Sequence, residues 1–415
     1  MTAGHREVTR PARSRRSLWI AFAGVHAWLA FVGIVWIPQR AFWDLDLYRY
    51  WVAVGLDANT WPVLDGPWVY PVGALVPMLV PAVVSTTSTA GYALGWCVLV
   101  TALDAVAVAA LARRGRSGAW WWLAFLVLLG PVAVGRIDAI LAPIVVVALL
   151  TARERPRVAA ALLTAGAWIK VAPGVVLLPL VMIVRRPVRD VVVPAALVCA
   201  GVVGAVAAAG GLGHVASFLQ EQDARGLQVE AVAASPWVLA SLVRDDVAIV
   251  LNDELITWEI VGPGTIGAAR TLDVVLPLAV AALALLLWRA RSRPVDVLVW
   301  GSLALTTLLI VVNKVGSPQY VGWLAPPIAV ALAIRTAWPD DAAGARSRAV
   351  LPWAAGTVLV IAALTQLVFP LAYSSLLTGG AAASTVLVVR NLGLVAVLVG
   401  ACVMLAMPGS TTRTR

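Results

Sequence analysis

Of the 415 residues, 61% are hydrophobic and only 13% charged, against roughly 25% charged residues in a soluble globular chain. That balance excludes an ordinary soluble domain and puts most of the chain in a lipid bilayer. The net charge of +10 does not indicate nucleic acid, because the arginines fall in short clusters between apolar stretches instead of forming one basic face.

Apolar stretches run over 18–37, 67–84, 88–112, 119–134, 138–152, 158–170, 172–184, 190–212, 269–288, 295–312, 318–335, 349–372 and 384–407. A membrane-crossing helix takes about 20 mostly apolar residues, so the pattern predicts an all-α fold, a polytopic transmembrane helical bundle. Five arginines, Arg6, Arg10, Arg13, Arg15 and Arg16, precede the first stretch. No small-residue cleavage site follows them, which predicts a retained first helix and not a signal peptide. The expected division is a basic cytoplasmic tail at 1–17, a single membrane domain at 18–407 with outer loops at 38–66 and 213–268, and a cytoplasmic tail at 408–415.

Charge sets the expected orientation. The tails and the segments 113–116, 153–157, 185–189, 289–293 and 335–348, with their flanking residues, hold 22 of the 29 arginines and six acids. The opposite side keeps seven arginines, both lysines and fourteen acids, with Asp104 inside a stretch. By the positive-inside rule the arginine-rich segments and both termini are cytoplasmic in a plasma or inner membrane. Thirteen full crossings cannot leave both tails on one side, so at least one stretch stops short, giving about 10–13 membrane helices. The proline-rich 67–84 and the short pairs 119–134/138–152 and 158–170/172–184 are the places where this is expected.

The first outer loop opens with FWDLDLYRYW at 42–51 and reads as an interfacial helix. Asp44 and Tyr48 are four apart and share a face, while Asp46 points elsewhere. LDGPWVYP with Tyr70, GRID with Arg136 and Asp138, WIKVAP with Lys170, RGLQVEAVAASP with Arg225, and NKVGSPQYVGW with Lys314, Gln319, Tyr320 and Trp323 follow. All fall outside or at outer helix ends, except WIKVAP, whose depth the sequence leaves open. Lys170 and Lys314 are the only lysines. An ammonium at the end of a short membrane helix needs an anion or a carboxylate, and Asp138 is the candidate for a structural bridge. The loop 213–268 is expected to form amphipathic helices over the cavity. Its acids leave a divalent cation open, although no EF-hand or DxD spacing supports one. His5, His26 and His214 are dispersed and form no metal site or triad, and Cys97, Cys199 and Cys402 read as small packing residues.

The order of these motifs resembles glycosyltransferase family 87 of the GT-C superfamily: an outer-loop DLxxY at Asp44 to Tyr48, a YP at Tyr70, then GRID, KVAP, GLQVEA and SPQY. The resemblance spans residues 18 to about 335. It implies a polyprenyl-phosphomannose or related polyprenyl-phosphate-sugar donor, a glycolipid or glycan acceptor on the outer leaflet, inversion at the sugar, and a role in building the actinobacterial envelope. It also implies that Asp44 is the general base. Arg136 stands where glutamine is common, Val171 replaces a proline, Ala231 replaces a serine, and no histidine lies near 313–323.

The chemistry follows from the residues as well. A hydroxyl attacking a sugar C1 that bears a phosphate leaving group needs a carboxylate to take its proton, for which Asp44 and Asp46 are the candidates. The departing phosphate needs fixed cations: Lys170, Lys314, Arg136 and Arg225. Tyr48, Tyr70, Asp138, Gln319, Tyr320 and Trp323 are candidate substrate contacts. A polytopic transporter or lipid-glycan flippase is the alternative reading. It would call for repeats and for charges at the bilayer midplane, whereas no convincing repeat is found and apart from Asp104 the charges gather at one face.

Overall fold

A computed structural model describes residues 11–408 except 224 and 254. Residues 1–10 and 409–415 of the expected tails lie outside the described residues. In chain order the helices are α1 (Arg15–Trp36), α2 (Trp43–Ala58), α3 (Val72–Val83), α4 (Thr89–Arg114), α5 (Arg116–Leu129), α6 (Asp138–Thr151), α7 (Pro156–Ile169), α8 (Ala172–Ile183) and α9 (Val188–Ala208). After α9 come the short α10 (Ser217–Asp223) and α11 (Ser235–Ala240), then a hairpin of β1 (Ala248–Asn252) and β2 (Thr257–Val261). The chain ends with α12 (Thr265–Ala290), α13 (Pro294–Val311), α14 (Ala325–Ala333), α15 (Ala342–Leu371) and α16 (Ala381–Ala406).

Among the described residues, α1, α4, α9, α12, α13, α15 and α16 are long and apolar enough to cross a membrane, and the chain is a multi-pass membrane protein. The helices follow the apolar stretches to within a turn or two. Where the sequence suggested incomplete crossings, the helices are short. α6 and α7 have 14 residues each, which at about 1.5 Å per residue is about 21 Å, less than the roughly 30 Å of hydrocarbon. α3 opens and closes in 3-10 turns around Pro77 and Pro81. A proline cannot donate to the helix ladder and so breaks it. A side chain at Gly73 would collide with the Trp168 carbonyl, so glycine lets α3 lie against the end of α7.

The loop between α9 and α12 departs from the expected amphipathic helices. Besides α10 and α11 it holds the antiparallel hairpin, with Val250 opposite Glu259 and Leu251 opposite Trp258. The segments AIVLN and TWEIV are rich in β-branched and aromatic residues, which suit a pleated, half-buried surface better than a helix. The Val229 N–H donates to Trp258 O and the Ile260 N–H to Leu227 O, so residues 227–229 line up beside β2.

Two polar fastenings hold the bundle. Asp104 of α4, the acid left inside an apolar stretch, is hydrogen-bonded to His26 Nε2 of α1 at 3.0 Å, and His26 Nδ1 lies 2.9 Å from Phe22 O. That carbonyl only accepts, so Nδ1 carries a proton and the ring is oriented toward the carboxylate. Both side chains are almost fully buried. Removing one partner of a buried pair leaves the other uncompensated at a cost of about 3–5 kcal/mol. His26→Leu is therefore expected to lower the melting temperature of the detergent-solubilised protein strongly, and His26→Leu with Asp104→Leu to recover much of the loss. Equal losses in both would show that the pairing is not what matters.

At the end of the bundle that carries the arginine clusters, Asp296 accepts from Arg293 at 2.9 Å, from Trp338 Nε1 at 2.7 Å and from Ser347 Oγ at 2.7 Å. Arg293 also donates to the carbonyls of Met404 and Leu405. One carboxylate thus ties α13 to α15, and its arginine ties both to the end of α16.

Candidate active site

The short helices end where the motif residues gather. In α2 the face bearing Leu45, Tyr48, Val52 and Gly55 is buried, and Trp43, Leu47 and Tyr50 lie exposed on the other side. Asp44 of this helix forms an ion pair with Arg136, which stands in the turn before α6 and is 6% exposed. Tyr48, one helical turn after Asp44, is fully buried, and its hydroxyl accepts from the Ile137 N–H at 3.2 Å. This bond joins α2 to the turn that presents Arg136 and Asp138.

Asp138 opens α6 and receives two donors. Lys170 Nζ, at the end of α7, donates to Oδ2 at 2.8 Å, and Trp323 Nε1 donates to Oδ1 at 2.7 Å. Tyr320 and Trp323 stack with centroids 4.3 Å apart, and the Lys170 ammonium lies 4.8 Å from the Tyr320 ring centre. Burial disfavours the charge on Lys170, but Asp138 and the phenols of Tyr320 and Tyr70 outweigh it and hold the ammonium above its ordinary range. The bridge expected for Lys170 is the one formed.

Tyr70 lies between the two ion pairs. Its ring meets those of Tyr48, Trp51 and Trp68 edge to face. Burial raises its pKa, Lys170 opposes the rise, and Asp44 adds to it. Tyr48 is pushed up further, by burial first and then by Tyr70 and Asp44. Both phenols stay protonated and available as hydrogen-bond donors. Asp44, Arg136, Tyr48, Tyr70, Asp138, Lys170, Tyr320 and Trp323 thus form one continuous cluster.

Of the other candidate residues, Gln319 shares a cavity with Asp138 at the edge of this cluster, whereas Asp46 and Lys314 bond to groups outside it. Asp46 turns away from Arg136, accepting from Thr89 Oγ1 at 2.7 Å and from Arg49. Lys314 pairs with Asp273 of α12 at 2.9 Å, and its carbonyl accepts from the Gln228 N–H. Arg225 is half-buried with no hydrogen-bond partner on Nε. Gln319 accepts from Ser317 Oγ at 2.6 Å and lines a small cavity with Trp122, Phe125, Leu129, Asp138 and Gly322. Among the described residues, no three His, Cys, Asp or Glu side chains come together as metal ligands.

Three further groups complete the surroundings of Arg136. Its guanidinium carbon lies 5.6 Å from the centre of the Phe369 ring, which packs edge to face on Tyr373. Glu230, in the GLQVEA loop, is 4% exposed and lies within electrostatic reach of Arg136. It pairs with Arg390 of α16 at 3.3 Å. Sequence reasoning missed this pair. Its signal was a lone arginine within the apolar stretch 384–407, since a charge at such a place requires a buried partner.

The sequence model of glycosyltransferase family 87 matches residues 68–312, which covers Tyr70, Arg136, Asp138, Lys170 and Glu230. The chain belongs to glycosyltransferase family 87. It is accordingly a multi-pass membrane glycosyltransferase. Asp44 and Tyr48 precede the segment matched to family 87, and Tyr320, Trp323 and Arg390 follow it. No curated protein matches the chain. Two crystal structures of ArnT from Cupriavidus metallidurans are similar to it. The apo structure gives a TM-score of 0.48 at 14% identity, over 94% of this chain and 78% of that one. The structure bound to undecaprenyl phosphate gives 0.44 at 14% identity, over 95% and 78%.

Proposed function

We propose that this glycosyltransferase, of the GT-C type, moves a single sugar, mannose, from a polyprenyl-phosphate-sugar donor to a glycolipid or cell-envelope glycan on the outer leaflet. The observation that carries the reading is the contact between Asp44 and the buried Arg136, which puts a proton acceptor and an anion-stabilising cation side by side among aromatic walls. The acceptor oxygen attacks C1 and its proton passes to Asp44. The C1–O bond to phosphate breaks, and its electron pair leaves on the phosphate oxygen beside Arg136. A single displacement inverts the anomeric centre.

Arg136 is the cation suited to the phosphate, because its Nε has no hydrogen-bond partner. Lys170 is engaged by Asp138 and by two aromatic rings, an arrangement suited to holding the pocket's shape. The stacked Tyr320 and Trp323 offer a flat apolar face to a pyranose ring. In this reading the membrane body is one domain with cytoplasmic tails, the arginine-rich end faces the cytoplasm of a plasma or inner membrane, and the site faces outside.

The test is transfer of labelled mannose from a polyprenyl-phosphate donor to membrane lipids by the purified, reconstituted chain. A labelled, inverted product supports the reading. Transfer only from an arabinosyl donor would keep the reaction and change the sugar, and no transfer from either donor would reject the proposal.

A further inference from the structure

Resting on the transferase reading, we infer that Arg390 of the last helix is a positioning residue, which clamps the 227–235 loop beside the active site and fixes the direction of the Glu230 carboxylate. Arg390 and Glu230 are 160 positions apart, on an apolar helix and a polar loop, and both are buried, at 1% and 4% exposure. The guanidinium donates to the Glu230 carboxylate and to its carbonyl, each at 3.3 Å. The next residue on the helix, Asn391, donates to Ala231 O at 3.4 Å and to Ser235 Oγ at 2.9 Å. Two consecutive side chains therefore grip the loop at Glu230, Ala231 and Ser235.

The loop is gripped from its other side as well. The Gln228 N–H donates to Lys314 O, and the Gly316 N–H donates to Gln228 Oε1 at 3.1 Å. A side chain at position 316 would overlap the Glu230–Ala231 peptide, so glycine is what permits this approach. A loop fixed so closely on both sides does more than cover a cavity, because it sets where one carboxylate points. The charged and titratable groups facing Glu230 are Arg390 from α16, Arg136 from the turn before α6, and Tyr373 from the short helix Tyr373–Leu377. Arg136 accordingly has one carboxylate in contact, that of Asp44, and a second, that of Glu230, within electrostatic reach.

The consequence is a pH dependence with a defined sign. Burial pushes the Glu230 carboxyl up and Arg390 and then Arg136 pull it back, leaving it at about 6. Above that pH Glu230 is ionised and held by Arg390; below it the carboxyl is neutral and the grip weakens. Removing Arg390 takes away the larger of the two restraining cations, so the titration moves upward.

The experiment is the pH profile of sugar transfer by the reconstituted chain. The parent is expected to lose activity as pH falls through about 6. Arg390→Met should move this acidic limb upward by about one pH unit or more, Arg390→Lys should restore most of it, and Glu230→Gln should abolish it. A limb at the parent's position in Arg390→Met overturns the inference. If the unaltered chain transfers no sugar, the transferase reading fails and hydrogen exchange decides the clamp. Amides in 227–235 should then exchange about tenfold faster in Arg390→Met and not in Arg390→Lys, and unchanged exchange overturns it. Should the single variant fail to reconstitute, Arg390→Met with Glu230→Gln leaves no lone buried charge, and hydrogen exchange is read on it: amides in 227–235 should exchange about tenfold faster than in Glu230→Gln alone, and equal exchange overturns the inference.

Discussion

Asp44→Asn is expected to lower kcat for sugar transfer by roughly a hundred- to ten-thousandfold, the range of a lost general base, in a protein that still reconstitutes. Asparagine keeps the shape and one acceptor oxygen beside Arg136 but cannot take a proton from the attacking hydroxyl. The control is Asp46→Asn, two residues along the same helix. Its carboxylate is 42% exposed and bound to Arg49 and Thr89, so this variant should keep activity within a few-fold. Initial rates with saturating donor and acceptor separate the two. Loss in Asp46→Asn with full activity in Asp44→Asn would remove Asp44 as the base.

Arg136→Met should have a comparable effect for a different reason. The substitution keeps an apolar side chain at this place but deletes the guanidinium, which faces Phe369 and supplies the donors that meet the leaving phosphate. Losing preorganised stabilisation of a developing anion costs about a hundred- to a thousandfold in kcat. Arg136→Lys should recover only part of it, since an ammonium lacks the planar fork of the guanidinium. The same assay on Lys170→Met gives the contrast. Lys170 is committed to Asp138, Tyr320 and Trp323, so its loss should appear first as reduced thermal stability. Full kcat in Arg136→Met alongside its collapse in a folded Lys170→Met would move the phosphate contact from the arginine to the lysine.

The pairings in the site show how far the sequence could be followed. Asp138 and Lys170 are 32 positions apart, close enough along the chain that two short helices joined by one tight turn limit what Lys170 can meet. Asp44 and Arg136 appeared as separate candidates with compatible chemistry, and nothing local paired them. His26 and Asp104 are 78 positions apart and Glu230 and Arg390 are 160 apart. Those contacts depend on which helix faces which, and no local pattern of apolar residues carries that information.

The sequence by itself determined that the chain is a membrane bundle, where its helices lie, that at least one stretch stops short of a full crossing, and that Asp44 and Tyr48 share a helix face apart from Asp46. These follow from apolar length, proline placement and helical period, all properties of neighbouring residues. Only the tertiary structure decided which cation each carboxylate meets, that the loop before α12 folds as a hairpin beside residues 227–229, and that the last helix pairs with Glu230 through Arg390. The physical reason is that a buried charge requires a partner but does not say which one. The choice is made by the packing of helices far apart in the chain.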